Sequence, residues 1–368
     1  MTGTSGSTTR SVTVTLTVTR GLCYYAVTVL PASAPLLLVL DGNSLLHRAY
    51  HAAPFGEILD KQGRPVWAIR GLVSLVARAA ARTRPDAVLI GFDCAEHSAR
   101  KDDFSGYKAH RAEKPAELVE QLLVAPELLR AAGLGTVVPT SYEADDVLAS
   151  AAAHARRAGW RSVVVTSDRD SFALIDASTS VLRVRNGGLD EATLMTATTL
   201  TALCGVEPWQ YRDFAALRGD PSDNLPGVRG FGAATAARLL AGFGTVDAAW
   251  AAQDGGDEQA VRAVVGSAAS AALADPAMRE AVERNRRLMR MRDDLPMPAL
   301  DSVRLPVPFG RMKRALAERG VFLGPSLWAL TGGIPPAGED DQVQVPQPWM
   351  WSPRSRRREP LPGQLALF

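Results

Sequence analysis

The chain has 368 residues, 46% of them hydrophobic, and its 41 Lys and Arg nearly balance 39 Asp and Glu. That length suffices for one large core or two adjoining ones, and the near-neutral charge argues neither for nor against nucleic acid. Cys23, Cys94 and Cys204 lie too far apart for a paired-cysteine zinc site or a disulfide framework, which favours a reducing compartment such as the cytoplasm. No run approaches the ~18 apolar residues of a membrane span.

Residues 1–34 differ from the rest of the chain. Ser11–Arg20 alternates like a lone strand, and a short apolar run then leads to PASAP. Arg10 and Arg20 before that run imitate a signal peptide. We interpret residues 1–34 as an unassigned, disordered extension rather than an export signal, because the well-patterned sequence begins only at Pro35.

From Pro35 onward, apolar runs alternate with helical patterns. Leu36–Asp41, Ala87–Asp93 and Ser162–Asp168 each read as a buried strand that ends in aspartate, and Thr179–Arg185 reads as a fourth. Such alternation predicts an α/β fold with a mostly parallel central sheet flanked by helices.

The predicted helices lie between these strands. The first follows Asp41 with Asn43 or Ser44 as its cap, and helical spacing then covers Val66–Arg82 and Glu117–Ala132. A capping box at Thr140–Glu143 opens a further helix that runs to about residue 159.

Two short segments are unusually acidic: Thr140–Asp146 (TSYEADD) and Thr166–Asp170 (TSDRD). Carboxylates at this density repel one another unless cations lie among them. The parallel strands end at one edge of a sheet, so Asp41, Asp93 and Asp168 are predicted to converge there. Each acid alone could be a turn former or a helix cap, but their joint placement on successive strand–helix units predicts a divalent-metal site.

One turn of helix presents Glu143 and Asp146 on the same side, since they are three residues apart. Asp145 lies about 100° off that face, from where it could still reach a neighbouring ion or its water.

The second half of the chain contains GDPSDN, with Asp220 and Asp223, followed by LPGVRGFGAATAARLL. The glycines at 227, 230 and 232 predict a tight turn between two helices, and the small Ala233 would let a phosphate approach the start of the second helix. This pattern is typical of a helix–hairpin–helix that grips a nucleic-acid backbone, although a plain turn between helices is the alternative.

From about Pro35 to Leu330 the chain resembles the 5′-nuclease family, which includes the 5′→3′ exonuclease domain of bacterial DNA polymerase I, phage 5′ nucleases and flap endonucleases. The matching segments, in order, are LDGNSLLHRAYHA, GFD, ARKDDFSGYKAHR, EADDV, TSDRD and GDPSDNLPGVRGFGAATAARLL. The resemblance implies a stand-alone nuclease with a PIN-like 5′-nuclease fold, a helical arch and a C-terminal helix–hairpin–helix (helix-three-turn-helix) region. The expected division is a metal-binding α/β domain at 35–200, a DNA-binding region at 201–330 and a disordered tail at 331–368.

The resemblance also implies a role for each acid, and none of the nine positions departs from the family pattern. The first of two Mg²⁺ (or Mn²⁺) ions would be surrounded by Asp41, Asp93, Glu143, Asp145 and Asp146. The second would be surrounded by Asp168, Asp170, Asp220 and Asp223. One ion would activate the attacking water and the other would stabilise the leaving oxygen.

The basic segment ARKDDFSGYKAHR would form the arch, with Arg100, Lys108 and Arg111 offsetting phosphate charge and Tyr107 stacking on a base. A solvated charged loop is the alternative for this segment. The hairpin at Gly227, Gly230 and Gly232 would hold the duplex, in this family often with a K⁺ ion on backbone carbonyls.

The implied function is a structure-specific 5′→3′ exonuclease or 5′-flap endonuclease in DNA replication or repair. The protein is expected to be a monomer. RNA primers are a further candidate substrate. The alternative is a non-catalytic protein that binds branched DNA. A phosphatase is disfavoured because Asn43 stands where its second aspartate would be.

The Pro-rich tail ends in QLALF. Gln364, Leu365, Leu367 and Phe368 resemble the peptide with which bacterial replication proteins bind the sliding clamp, since a flexible tether with Leu and Phe anchors suits an apolar pocket. An incidental apolar C-terminus is the alternative.

Overall fold

The computed structural model describes residues 30–52, 58–185, 188–323 and 327–335. The predictions for residues 1–29, and for the tail from residue 336 with its QLALF peptide, lie outside these residues. Within the described ranges, no helix is both long and apolar enough to cross a membrane.

A six-stranded sheet forms the centre of the first half. Its strands are β1 (Leu36–Asp41), β2 (Ala87–Gly91), β3 (Gly135–Val137), β4 (Arg161–Thr166), β5 (Thr179–Arg185) and β6 (Gly188–Met195). Their spatial order is β3-β2-β1-β4-β5-β6, and every neighbouring pair is parallel except β5 with β6. The predicted α/β fold with a mostly parallel sheet is therefore confirmed.

Helices cover both faces of this sheet. They are α1 (Gly42–His51), α2 (Trp67–Thr83), α3 (Ala99–Asp103), α4 (Ala116–Ala131), α5 (Ala144–Arg157) and α6 (Ala197–Cys204). In β1, Leu37 and Val39 enter the core on the α5 face, while Leu38 and Leu40 enter the core formed with α1, α2 and α4. Because both faces are buried, β1 reads as a continuous apolar run.

The second half is helical and shares the core on the α5 face. It comprises α7 (Tyr211–Arg218), a short hairpin of β7 (Gly219–Asp220) and β8 (Leu225–Pro226), and then α8 (Ala233–Phe243), α9 (Val246–Asp254), α10 (Glu258–Val265), α11 (Ser267–Ala274) and α12 (Pro276–Leu288). The ring of Tyr211 lies 5.5 Å from Phe172 and 5.7 Å from Phe214. These buried aromatic contacts join α7 to the loop that follows β4, so the two halves share one core.

The chain then returns to the sheet half, which the predicted division at 201–330 did not anticipate. The amide of Leu305 donates to the carbonyl of Asp86 (2.9 Å). Helices α13 (Phe309–Glu318) and α14 (Trp328–Thr331) bury Met312 and Leu330 in the core built on α2 and α4. Residues from about 300 therefore belong spatially to the sheet half.

Two predicted helix starts are wrong in detail. Asp41 itself caps α1, accepting from the Ser44 amide at 2.8 Å, so neither Asn43 nor Ser44 is the cap. The capping box of α5 consists of Glu143 and Asp146 rather than Thr140 and Glu143.

Two strands of the six-stranded sheet were not predicted, and neither was the β7–β8 hairpin. Strand β3 has only three residues, and β6 is a polar edge strand. Neither gives a clear apolar pattern in the sequence.

Candidate metal centre

The acids of the first half gather where the parallel strands end. Asp41 is the last residue of β1 and accepts from the Thr166 hydroxyl of β4 at 2.8 Å. Asp93, two residues beyond β2, accepts from the Ala144 amide at 2.8 Å, which ties it to the start of α5. The strand ends predicted to converge therefore do converge, although β2 and β4 stop two residues before Asp93 and Asp168.

A second group of acids comes from both halves of the chain. The carboxylate oxygens of Asp170, Asp220 and Asp223 all lie within 4.8 Å of one another. Asp170 begins a short 3₁₀ helix after β4, whereas Asp220 and Asp223 belong to the hairpin segment that follows α7. The helical half thus completes this cluster, as the sequence order had suggested.

Charge repulsion is evident in the pKa values of these acids. Burial, reinforced by the charges of Asp93 and Asp168, raises the pKa of Asp41 to about 7. Burial and the neighbouring charge of Asp168 raise the pKa of Asp170 to about 8. Burial, Asp168 and Asp41 likewise raise the pKa of Asp145 well above its ordinary value.

The charge of the exposed Asp168 acts on members of both groups. Together they form an excess of negative charge made of oxygen donors, which is the donor set that hard divalent cations prefer. The residues present therefore fit a divalent-metal centre.

Two bases approach the acids. The Lys108 ammonium lies 2.9 Å from Glu143 Oε2 and 3.9 Å from an oxygen of Asp223, and Arg111 lies 2.5 Å from the other Asp223 oxygen. Burial alone would raise the pKa of Glu143, but Lys108 and Arg100 outweigh it and hold that pKa below its usual value. Lys108 therefore joins the first acidic group to the second.

The buried carboxylate of Asp146 is surrounded by hydrogen-bond donors. Its two oxygens accept from Arg100 at 2.8 and 2.9 Å, from the Arg292 amide at 2.8 Å and from the Glu143 amide at 3.1 Å. Its carboxylate is 1% exposed. Glu143 and Asp146 do share a helix side as predicted, but that side meets Arg100, and it is Asp145 whose charge interacts with Asp41 and Asp168.

Arg100 and Tyr107 lie inside the protein rather than over an open cleft. The Arg100 side chain is 12% exposed, and its Nε donates to the carbonyl of Leu288 at 2.8 Å. Tyr107 is 4% exposed and its hydroxyl donates to Glu143 Oε2 at 3.1 Å. In this structure the ring of Tyr107 is packed into the core and its hydroxyl is bound by Glu143, so the stacking of Tyr107 on a base stays a prediction.

The predicted hairpin glycines have different roles. A Cβ on Gly227 would lie 2.3 Å from the backbone of Arg218, so this glycine allows the β7–β8 hairpin to close on α7. Gly230 turns the chain with φ +84°. Gly232 caps α8 without a side-chain hydrogen bond, and both it and Ala233 are exposed.

Three supporting residues were not predicted as part of the site. Asn43 donates to Asp93 Oδ2 at 2.6 Å and accepts from the Asp93 amide at 3.1 Å. Thr166 orients Asp41, and the buried Asn285 donates to the carbonyls of Ala216 and Pro226 beside the hairpin. Asn43 lies two residues after Asp41 and Thr166 two residues before Asp168, so their closeness to these acids in the sequence could have indicated a supporting role. Asn285 gave none.

The structure thus combines a mostly parallel sheet, an acid-lined carboxyl edge and a helical half with an exposed helix start. Two family models match the chain: the N-terminal resolvase-like domain of 5′-3′ exonucleases over residues 36–202 and their C-terminal SAM fold over residues 206–308. Together they span most of the chain, which therefore belongs to the 5′-3′ exonuclease family.

Relatives agree with this assignment. The chain is 36% identical to DNA polymerase I of Mycobacterium leprae over 272 residues, which cover 74% of this chain but 28% of that polymerase. It is 37% identical over 212 residues to the thermostable DNA polymerase I of Thermus aquaticus, covering 58% of this chain and 24% of that enzyme. The chain thus spans less than a third of these curated relatives.

Among solved structures, the T5 D15 protein co-crystallised with metal ions aligns with a TM-score of 0.56 at 17% identity, covering 80% of this chain and 94% of that chain. The catalytic core of Rad2 in complex with DNA substrate aligns with a TM-score of 0.50 at 13% identity, covering 80% and 90%. At these identities the likeness establishes the fold.

Proposed function

We propose that this protein is a structure-specific 5′→3′ exonuclease and 5′-flap endonuclease that hydrolyses DNA phosphodiesters in replication or repair. The observation that carries the proposal is the meeting of acids from both halves of the chain, with Asp170, Asp220 and Asp223 within 4.8 Å of one another. A site that requires the helical half for its completion suits a reaction in which the helical half holds the substrate.

Two divalent cations, Mg²⁺ or Mn²⁺, suit the two acidic groups. Asp41, Asp93, Glu143 and Asp145 would hold one, and Asp168, Asp170, Asp220 and Asp223 would hold the other. When bound, such ions supply an activated water and stabilise the leaving oxygen. The contacts of Asp146 favour a positioning role, in which it holds Arg100 and the 288–292 segment, over the ligand role that the family resemblance implied.

The bases of the site would orient the phosphate. Lys108 and Arg111 already contact carboxylates of both groups, so a phosphate lying over those carboxylates would come within their reach. Arg100 would act indirectly, by fixing Glu143 beside Lys108.

The exposed start of α8 would grip the DNA backbone. Backbone N–H groups at a helix start bind phosphate, and the absence of side chains at Gly232 lets it approach. A K⁺ ion on the carbonyls of the Gly227–Gly232 turn fits the same role. Gripping of this kind predicts strong salt dependence and little sequence preference.

Cleavage of labelled 5′-flap, nicked and single-stranded DNA with Mg²⁺ tests the proposal. We expect flap cleavage by the wild type and its loss in Asp145→Asn and Asp168→Asn. Tight binding of flap DNA by the wild type without any cleavage would instead support a non-catalytic branched-DNA-binding protein. Unchanged cleavage in both variants would refute the metal assignment.

Further expectations follow from the sequence. We propose that the protein acts as a cytoplasmic monomer, that RNA primers with 5′ ends are substrates, and that Gln364, Leu365, Leu367 and Phe368 dock on the sliding clamp. Cys94 and Cys204 are free thiols, which supports a reducing compartment. Titration of a tail peptide against purified clamp tests the last point, and no binding at high micromolar concentration would end it.

A further inference from the structure

An apolar groove lies between α13, α14 and the segments that flank them; we name it the α13–α14 groove. It encloses about 520 Å³, and its floor includes the buried Leu316 and Trp328. At its rim, Phe309 is 53% exposed, Phe322 63% and Ile334 91%. Large apolar side chains that cluster around one groove mark an interaction site more often than scattered exposed residues do.

The groove is separate from the metal centre. None of the nine acids lines it, and Lys313 is its charged lining residue. Helix α13 also exposes Arg314, which follows Lys313 in the chain but does not line the groove, so Lys313 supplies the positive charge of the groove itself. Its occupant should therefore combine bulky apolar side chains with nearby negative charge.

The chain itself supplies such a segment. Trp349, Met350 and Trp351 are the densest run of bulky apolar residues beyond residue 335. Glu339, Asp340 and Asp341 precede this run, at a position from which they could pair with Lys313 and Arg314. The charge order of the tail thus complements that of the groove.

The stretch of chain between the groove and Trp349 is long enough for this segment to reach the groove. Gly333 and Ile334 line the groove, so the following residues start at its rim. Thirteen residues, 336–348, separate Pro335 from Trp349. They span at most about 45 Å when extended, so the segment that follows them is tethered close to the groove.

We propose that Trp349–Trp351 dock into the α13–α14 groove of the same chain. A short tether gives an effective concentration on the order of 1 mM. An intrinsic dissociation constant of about 0.1 mM would therefore keep the groove about 90% occupied. Docking would hold the chain at Trp351. The arginines and the QLALF peptide of Ser352–Phe368 would then extend from α13 on a tether about half as long as the tail 336–368.

Hydrogen exchange of the full-length protein, read by mass spectrometry in dilute solution, tests this docking. In Trp349→Ser/Trp351→Ser we expect amides of Phe309–Glu318 and Trp328–Ile334 to exchange about tenfold faster. The matched control is Leu365→Ser/Phe368→Ser, which removes apolar residues from the same tail and should leave these peptides unchanged. Unchanged exchange in the tryptophan variant overturns the proposal.

Other outcomes identify a different occupant and equally overturn the proposal. Acceleration by the Leu365→Ser/Phe368→Ser variant alone means that the chain end fills the groove. Protection that increases with protein concentration means that a second copy fills it.

Substitution in the groove provides an independent test. Phe322→Ser should accelerate exchange of the same peptides, whereas Leu203→Ser, which is equally exposed (63%) on α6, should not. Lys313→Glu should accelerate exchange at low salt and less at high salt, because screening weakens exposed charge pairs. A groove variant indistinguishable from the Leu203→Ser control contradicts docking.

Discussion

Replacing Asp146 tests whether its carboxylate positions Arg100 or binds a metal ion. Asp146 is 1% exposed and accepts four hydrogen bonds, two of them from Arg100, whose side chain is 12% exposed. Breaking a buried ion pair by removing one partner costs about 3–5 kcal/mol. Asp146→Asn should cost about 3 kcal/mol, at the low end, because Glu143 retains its contact with Arg100.

The measurement is thermal unfolding of Asp146→Asn in chelator and then with Mg²⁺. In chelator, Tm should fall by about 4–5 °C, since the entropy of unfolding grows with chain length. Mg²⁺ should raise Tm by the same increment as in the wild type, since binding at 100 times Kd stabilises the folded state by about 2.7 kcal/mol regardless of a residue that does not hold the ion.

The control is Asp170→Asn. Removing one of several mutually repelling carboxylates should stabilise the metal-free protein, on the order of 1 kcal/mol, and should reduce the increment from Mg²⁺. If Asp146→Asn instead raises the metal-free Tm and removes the Mg²⁺ increment, Asp146 is a ligand and the reasoning from its four hydrogen bonds fails.

Four further predictions follow. Lys108→Ala should lower single-turnover flap cleavage about 100-fold, as loss of a charge-stabilising donor does, while the exposed Lys101→Ala changes little; equal effects would contradict the role of Lys108. Gly232→Asp should weaken DNA binding by about tenfold or more by repelling phosphate. Gly232→Ala should weaken binding less than Gly232→Asp, since its added Cβ meets no protein atom within 4 Å and carries no charge, and equal Kd values for the two variants would exclude a phosphate at this helix start. Tyr107→Phe should lose about 1 kcal/mol of stability with the hydrogen bond to Glu143; Tyr107→Leu, which also removes the aromatic face, should have the same Kd for DNA as Tyr107→Phe, and weaker binding by Tyr107→Leu alone would support the stacking hypothesis. Because the folded pKa values of Asp41 and Asp170, about 7 and about 8, lie above their ordinary value, these groups stabilise the fold at low pH and that contribution is lost as pH rises through those values. The metal-free Tm should therefore decrease from about pH 4 to about pH 8, and a rising Tm in chelator over that range would contradict these raised pKa values.

The sequence determined the elements whose pattern is local. Leu36–Asp41 and Thr179–Arg185 are strands with the predicted bounds. For Leu36–Asp41 the reason is that buried parallel strands are continuously apolar. Helix α2 was predicted to within one residue at each end. The three-residue β3 and the polar β6 were missed because short or polar edge strands lack that pattern.

The sequence also determined which acids belong together, since strand ends of a parallel sheet meet at one edge. Which side each acid faces was decided only by the tertiary structure. Arg100 is distant in sequence from Asp146, yet its guanidinium draws that carboxylate away from the acids and leaves Asp145 among them. Similarly, the hydrogen bond from Tyr107 to Glu143 joins residues that are distant in sequence. The packing of α13 against α2 and α4 is also a long-range contact. Spacing along the chain fixes residue positions on an element, whereas the partner across the fold fixes what each side chain contacts.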